Sequence, residues 1–236
     1  MRYLLFALVV FASNIIQAIT GFAGTLLAMP AGIRLMGMDA AKAVLNVMGI
    51  AASVMIVATS WRDIDRKALL RISCFMGIGI LLGLGLLRIA RVDFLLTLYG
   101  LFIIGYALVK LLVRQSSPLT SRAGGMAILV LAGVIHGLFI SGGSLLVIYA
   151  VSALPEKRTF RATLSGVWII LNCLMMFQHI SAGFFTRDVT VLTLVCLIPL
   201  AAAVVLGAKL HDRVRQSTFL RLTYALLLVS GCLILF

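Results

Sequence analysis

Apolar residues fill most of the chain in long runs, and short polar connections separate these runs. A helix needs about 20 apolar residues to cross a bilayer. Two runs, 3–36 and 123–154, are interrupted by glycine and hydroxyl residues, so each predicts a pair of helical arms. The predicted arms are 3–19 and 22–36, then 123–139 and 142–154, and the remaining helices are predicted at 40–59, 68–87, 94–113, 159–180, 189–210 and 218–236.

The interrupted stretches are Gln17–Pro30, QAITGFAGTLLAMP, and His136–Tyr149, HGLFISGGSLLVIY, which we name the first elbow and the second elbow. A break inside lipid leaves backbone groups outside the helix ladder, and it is tolerated only where protein buries it or where it lines a cavity. Breaks at corresponding places of two halves are typical of transport sites near the middle of the membrane. The pattern therefore predicts two glycine-broken hairpins around such a site.

The two halves of the chain are related by a weak repeat. An offset of 119 residues, later 124 to 125, superposes similar residues along most of the length. The matched pairs include Gly24 with Gly143, Thr25 with Ser144, Lys42 with Arg161, and Gly83 with Gly207. We predict a first repeat over 1–113, a polar linker over 114–122 and a second repeat over 123–236, each repeat having about four helical segments within one transmembrane domain.

The composition places the chain in a membrane. Of its 236 residues 63% are hydrophobic and 11% are charged, whereas a soluble domain is about 25% charged. Basic loops and anionic lipid explain the net charge of +13, and no motif points to nucleic acid. We predict an all-α polytopic membrane protein whose partners are the lipid bilayer and a small anionic substrate, with a homo-oligomer left open. The four cysteines form no CxxC pair, so neither a metal nor another cofactor is predicted.

The distribution of Lys and Arg indicates the orientation. If each elbow is a hairpin that returns to its starting side, one face holds 14 basic residues and the other holds 6. If each elbow is one bent helix that crosses once, the split is 11 to 9. The positive-inside rule favours the hairpins, whether their arms cross fully or dip halfway. The halves are then inverted repeats in an inner or plasma membrane, with basic loops cytoplasmic and both termini outside.

The second arm of each hairpin begins with a glycine and a hydroxyl residue, Gly24-Thr25 and Gly143-Ser144. A helix N-terminus carries free N–H groups and about half a positive charge, so this arrangement suits an anion. Helix packing is the competing interpretation of the glycines. The predicted substrate contacts are Gln17, Thr20, Gly21, Gly24, Thr25, His136, Ser141, Gly142, Gly143 and Ser144, with Asn46 and Ser165 on the following helices and Asn172 also at membrane depth.

The charged residues favour an anion or a neutral solute. All seven carboxylates are predicted in loops, whereas cation transporters usually keep one at mid-membrane. Lys42 and Arg161 begin two equivalent helices, where they serve either as anchors at the interface or as gate residues that attract anions. His136 is either a proton carrier and oxyanion ligand or a buried neutral imidazole.

These motifs resemble the TauE/SafE family of sulfite-exporter-like permeases. The first family signature, a glycine-rich turn followed by apolar residues and a proline, appears at 20–30, and residues 37–46 are similar to the second helix of the family. The second signature appears at 136–149 and continues as RATLSG at 161–166. Ala23 and Tyr149 stand where glycine and proline are common. The resemblance implies a transporter of small sulfur-containing anions such as sulfite, or of organosulfonates and related carboxylates.

We therefore predict an anion permease that works by alternating access. An enzyme is not predicted, because no HExxH, GxSxG or paired-carboxylate motif occurs in the chain. The alternative is a non-transporting partner subunit or assembly factor, which would purify with a fixed partner and carry no flux when reconstituted alone.

Overall fold

The computed structural model describes residues 2–86, 92–112, 122–140 and 142–235. The predicted site residue Ser141 and residues 114–121 of the predicted linker lie outside this part of the chain. The described residues form ten α-helices, one 3-10 helix at Trp61–Asp63 and no strand. The helices are α1 Arg2–Thr20, α2 Gly24–Met36, α3 Met38–Ser60, α4 Arg66–Leu86, α5 Val92–Leu112, α6 Arg122–Phe139, α7 Gly143–Ala153, α8 Lys157–Ser181, α9 Arg187–Arg213 and α10 Gln216–Leu235.

Every predicted helix is present, and its ends differ from the prediction by at most three residues. Within the described residues, five helical stretches are long and apolar enough to cross a bilayer: Tyr3–Thr20, Met38–Asp63, Arg66–Leu86, Lys157–Ser181 and Arg187–Arg213. Their outward surfaces are rich in exposed Leu, Ile and Val, which suits contact with lipid chains. The predicted all-α polytopic fold is confirmed.

The first elbow folds as a hairpin of α1 and α2. The Gln17 side chain lies against Gly24 next to the turn, and a Cβ at Gly32, farther along α2, would lie 3.3 Å from the ring of Phe6. Later residues of α2 thus contact earlier residues of α1, which requires the two arms to be antiparallel. The chain therefore returns toward its starting side, as the hairpin interpretation of the basic residues requires.

The second elbow folds in the same way from α6 and α7. Gly142 lies against His136 beside the turn, and a Cβ at Gly125, near the start of α6, would lie 3.1 Å from the ring of Tyr149. Both glycine-broken hairpins predicted from the sequence are thus present.

The contacts between helices divide the chain into two compact units. The first unit contains Met1–Ser73 and Arg158–Arg213. Within it α1 packs against α2, α3 and α9, and α3 packs against α2 and α9. Its apolar core includes the buried side chains of Phe6, Leu45 and Met48. This unit contains the whole first elbow.

The second unit contains Cys74–Lys157 and Val214–Phe236, and so includes the second elbow. Within it α5 packs against α10, and α7 packs against α6 and α10. Each unit contains helices from both predicted repeats. In the first unit, α8 and α9 of the second repeat lie with α1, α2 and α3 of the first repeat. The boundaries of the repeats stay a prediction.

Glycines allow close approach between helices in both units. A Cβ at Gly207 of α9 would lie 2.6 Å from the carbonyl oxygen of Ile15 on α1. A Cβ at Gly83 of α4 would lie 2.5 Å from the carbonyl oxygen of Val134 on α6. Both separations are shorter than van der Waals contact, so these helix pairs reach their spacing only because the two positions lack side chains.

We expect Gly83→Leu to disrupt the packing of α4 on α6, because the new side chain would overlap the backbone at Val134. Overpacking of this kind costs about 1–3 kcal/mol or more. Gly85→Leu is the matched control in the same helix, since no described residue lies within 4 Å of its Cβ position. Thermal melting of the two purified variants in detergent measures the difference, and equal melting temperatures would contradict the proposed contact.

Candidate functional site

The first elbow leaves helical geometry between α1 and α2. Gly21 has a φ of 82° and Ala23 has a φ of 62°, both in the left-handed region. This region is open to glycine but costs a residue with a Cβ about 1–2 kcal/mol. The N–H of Gly24 donates to the carbonyl of Phe22 at 2.6 Å. The chain therefore turns within three residues, Gly21 to Ala23, before α2 begins.

Side chains from α8 and α9 bind the backbone that the break exposes. Trp168 Nε1–H donates to the carbonyl oxygen of Gly21 at 2.9 Å. His211 Nδ1–H donates to the carbonyl oxygen of Ile19 at 2.7 Å. The backbone of α8 also touches the turn, because a Cβ at Gly21 would lie 2.9 Å from Arg161 Cα. The carbonyl groups of Ile19 and Gly21 at this break are thus satisfied inside the protein, as lipid surroundings demand.

The predicted elbow residues have different environments. Thr20 donates its hydroxyl proton to the carbonyl of Ile16 at 2.8 Å and so supports the end of α1. The Gln17 side chain lies against Gly24. Thr25 is only partly buried, and its hydroxyl lies 3.6 Å from the Cβ position of Gly49 on α3. Thr25 is therefore the elbow hydroxyl that reaches toward the polar residues of α3.

One face of α8 carries a stripe of polar and aromatic side chains. Arg161, Ser165, Trp168 and Asn172 follow one another at intervals of three or four residues, so they share a helix face. All four are buried. The hydroxyl of Ser165 has no hydrogen-bond partner among the described residues. The stripe therefore holds an unsatisfied polar atom at Ser165, between the two positions of α8 that contact the elbow, Arg161 and Trp168.

A matching stripe lies on α3. Asn46 Nδ2–H donates to the carbonyl oxygen of Asn172 at 3.0 Å, which joins α3 to α8. The Oδ1 atom of Asn46 and the hydroxyl of Ser53, seven residues farther along α3, are buried without a partner in the described part of the chain. Residues seven apart lie on the same helix face. Both helices thus present unused polar atoms.

The two stripes lie at matching levels. The backbone N–H of Asp65, just beyond α3, donates to the hydroxyl of Thr163 at 3.0 Å, whereas Asn46 bonds to Asn172, so the two chain segments run antiparallel. Ser53 lies two helical turns beyond Asn46 on α3, and Ser165 lies two turns before Asn172 on α8. Because the helices are antiparallel, both serines lie on the same side of the contact between Asn46 and Asn172. We name the set Asn46, Ser53, Ser165 and Asn172 the polar layer.

The second elbow belongs to the other unit and is built differently. Ile140 has a φ of 55°, an unusual conformation for a β-branched residue. Ser144, a predicted oxyanion ligand, shares a hydrogen bond of 2.5 Å with the hydroxyl of Ser230 on α10. His136 and Gly142 are buried, and Gly143 begins α7. Binding of a substrate by His136, Gly142, Gly143 and Ser144 stays a prediction.

In the first unit the structure brings many of the predicted residues together. Thr25, Asn46 and Ser165 belong to or adjoin the polar layer, and Gly21 touches α8 beside Arg161. Lys42 lies near the start of α3, in electrostatic range of Asp39 and His179. Because α3 and α8 are antiparallel, Lys42 and Arg161 lie at opposite ends of this pair. Their gating role stays a prediction.

Sequence reasoning missed Ser53 and Trp168. Asn46 was selected as a polar residue at membrane depth; Ser53 lies seven residues after it, so a search by helical period could have found it. Trp168 lies seven residues after Arg161, but its bond to Gly21 joins positions 147 residues apart. No local pattern in the sequence indicates that contact.

A cavity of about 430 Å³ lies in the first unit where α3 ends, α8 begins and α9 ends. Its lining combines basic, acidic and hydroxyl side chains: Thr59, Ser60, Asp63, Arg158, Arg161, Ala208, Lys209, His211 and Asp212. Arg161 and His211 also contact the first elbow, so the cavity adjoins the turn. It was not predicted, because it joins segments that are distant in the sequence.

Comparison with known proteins gives one match. The family model described as sulfite exporter TauE/SafE matches residues 5–234. No curated protein matches the chain, and no solved structure does so. The match covers both hairpins, the polar layer and the cavity.

We expect opposite effects from two substitutions in the turn. Gly21→Ala adds a side chain at a left-handed position and against the Arg161 backbone, and should cost at least about 2 kcal/mol. Ala23→Gly relieves a left-handed alanine and removes only one methyl group, so its stability should stay equal or rise by up to about 1 kcal/mol. Melting temperatures in detergent test both expectations. A Gly21→Ala variant as stable as the parent would contradict the described turn.

Proposed function

The chain belongs to the TauE/SafE sulfite exporter family, and we propose that it is a permease that moves small sulfur-containing or organic anions, such as sulfite or sulfonates, by alternating access. The family implies a membrane transporter of sulfite-type anions rather than an enzyme. The substrate site in this proposal includes the first elbow and the polar layer. The cell membrane is its location, and the basic loops are cytoplasmic.

The unused polar atoms of the polar layer carry the proposal. Asn46 Oδ1, Ser53 Oγ and Ser165 Oγ are buried without hydrogen-bond partners among the described residues. Each buried unsatisfied polar group costs about 1–3 kcal/mol, so a fold retains several of them only where a ligand or water completes the bonding. Hydroxyl groups can donate to an oxyanion without binding it as strongly as a fixed positive charge would.

The positions of the carboxylates agree with an anionic substrate. Each of the seven Asp and Glu residues lies at a helix end or in a connection between helices. The polar layer of α3 and α8 therefore contains no carboxylate that would repel an anion. Cation transporters usually keep such a residue within the membrane.

Two equivalent contacts support the repeat on which alternating access depends. Gly207 meets Ile15 in the first unit, and Gly83 meets Val134 in the second. The repeat offset of 119 relates Ile15 to Val134, and the offset of 124 relates Gly83 to Gly207. The same helix contact thus occurs once in each unit, as expected for two copies of one structural element. The inverted orientation rests on the distribution of basic residues.

Uptake into proteoliposomes tests the function. We expect the purified chain alone to carry sulfite or methanesulfonate into vesicles. Ser165→Ala should weaken apparent affinity or flux about tenfold or more, because it removes one hydrogen-bond donor to a charged ligand. Ser181→Ala is the matched control in the same helix, since Ser181 is exposed and its hydroxyl bonds its own helix at Phe177.

The outcomes separate the alternatives. Equal flux in Ser165→Ala and the parent would remove the polar layer from the transport site. Absence of flux with every anion, together with purification on a fixed partner, would instead favour a non-transporting subunit or assembly factor.

A further inference from the structure

We propose that the cavity at the start of α8 is an oxyanion-binding site in which Arg161 donates hydrogen bonds to two oxygen atoms of one sulfonate, sulfite or carboxylate group. The site lies at the end of the α3 and α8 pair, about one helical turn of α8 from Ser165 and about three from Asn172. It is therefore a binding position that adjoins the Ser165 end of the polar layer. That its ligand is the transported substrate rests on the proposed permease function, whereas binding itself does not.

Burial of Arg161 is the first argument. The other arginine, lysine and aspartate side chains that line the cavity are exposed: Asp63, Arg158, Lys209 and Asp212. Arg161 is only 7% exposed. A guanidinium cannot shed its proton, and a buried cation without a counter-charge is costly. The site therefore holds a fixed positive charge that an anion would stabilise.

The geometry of the free nitrogen atoms is the second argument. Nε and Nη2 of Arg161 make no hydrogen bond to any described residue. These two nitrogens form one edge of the guanidinium plane, and their N–H bonds point in nearly the same direction. Such an edge matches two oxygens of a carboxylate or sulfonate in a bidentate pair. A halide presents one centre only, so the edge favours an oxyanion over chloride.

The carboxylates of the cavity leave this edge free. Asp63 and Asp212 both line the cavity and attract Arg161, yet neither bonds to Nε or Nη2. Both aspartates are exposed, where water weakens their field. Arg158 and Lys209 add two exposed positive charges to the same lining. An incoming anion thus meets a lining with one more fixed positive charge than negative charge.

The size of the cavity suggests how the anion is held. A volume of about 430 Å³ is ample for one small oxyanion. Nε and Nη2 are themselves buried from solvent, so the Arg161 side chain must turn this edge toward the cavity when the anion binds. Ligand pockets of similar volume are common.

Contacts of the cavity with the first elbow connect the site to the transport route. The α8 backbone at Arg161 touches Gly21, and His211 bonds to Ile19. Ser165 lies one helical turn beyond Arg161 on the same face of α8. An anion leaving Arg161 along this face therefore meets Ser165 next.

Equilibrium binding to the full-length protein in detergent tests the site, with methanesulfonate and freshly prepared sulfite as probes and chloride for comparison. We expect saturable binding of the two oxyanions by calorimetry and by a rise in melting temperature. Arg161→Lys keeps the charge but loses the two-nitrogen edge, so affinity should fall about tenfold or more. Arg221→Gln, a change at an exposed arginine on α10, is the control and should bind as the parent does.

A second variant serves if Arg161→Lys does not fold. Asp212→Asn removes a neighbouring carboxylate and should tighten oxyanion binding by a few fold. If Asp212 is instead the structural partner of Arg161, this variant will melt lower without any gain in affinity, and the proposal fails. The proposal also fails if the parent binds neither probe, or if folded Arg161→Lys binds as tightly. Binding that depends on Arg161 in a protein without flux would keep this site and reject the permease.

Discussion

The structure depends on one constraint: backbone groups released from a helix inside lipid must find partners within the protein. At the first elbow the carbonyl of Gly21 binds the Trp168 indole, and the carbonyl of Ile19 binds the His211 imidazole. Because lipid chains offer no hydrogen-bond partner, these two bonds satisfy carbonyl groups that would otherwise be left unpaired in the membrane. The break between α1 and α2 is therefore possible only because α8 and α9 lie against it. In this way the elbow determines which helices the first unit contains.

The same constraint explains how small residues are distributed. Gly21 lets the α8 backbone touch the turn, and Gly207 lets α9 touch α1. Both helices that bind the elbow are thus brought within hydrogen-bonding range by a missing side chain. Ala23 is the exception, because it adopts a left-handed conformation that glycine adopts without strain. The turn holds this strain because Trp168 and His211 fix the carbonyl groups on its N-terminal side.

Much of this arrangement was predictable and some was not, for physical reasons. Runs of apolar residues interrupted by glycine predicted both hairpins. This was possible because the length of a helix and the hydrogen bonding of its backbone depend on residues that are close in the sequence. Polar character at membrane depth selected Ser165 and Asn46, and in the structure both are buried with unsatisfied oxygen atoms. The elbow contacts join residues 147 and 192 positions apart. Such pairings depend on how helices assemble, so neither the Trp168 bond nor the cavity around Arg161 follows from a local pattern. The role of the second elbow stays a prediction.

The division of charge along α8 fits the requirements of transport. A permease must bind an anion strongly enough to capture it and weakly enough to release it. Arg161 supplies a full charge at the end of the helix, where the cavity has room for water around the ligand. The polar layer deeper along the helix supplies neutral hydroxyl and amide groups, without lysine, arginine or carboxylate among its four members. If a second arginine replaced Ser165, the anion would be trapped between two fixed charges, and affinity would rise while release slowed. In the proposed permease, a gradient from charged to neutral ligands would avoid that trap, and it would give a role to both the buried arginine and the unused hydroxyl group on the same helix face.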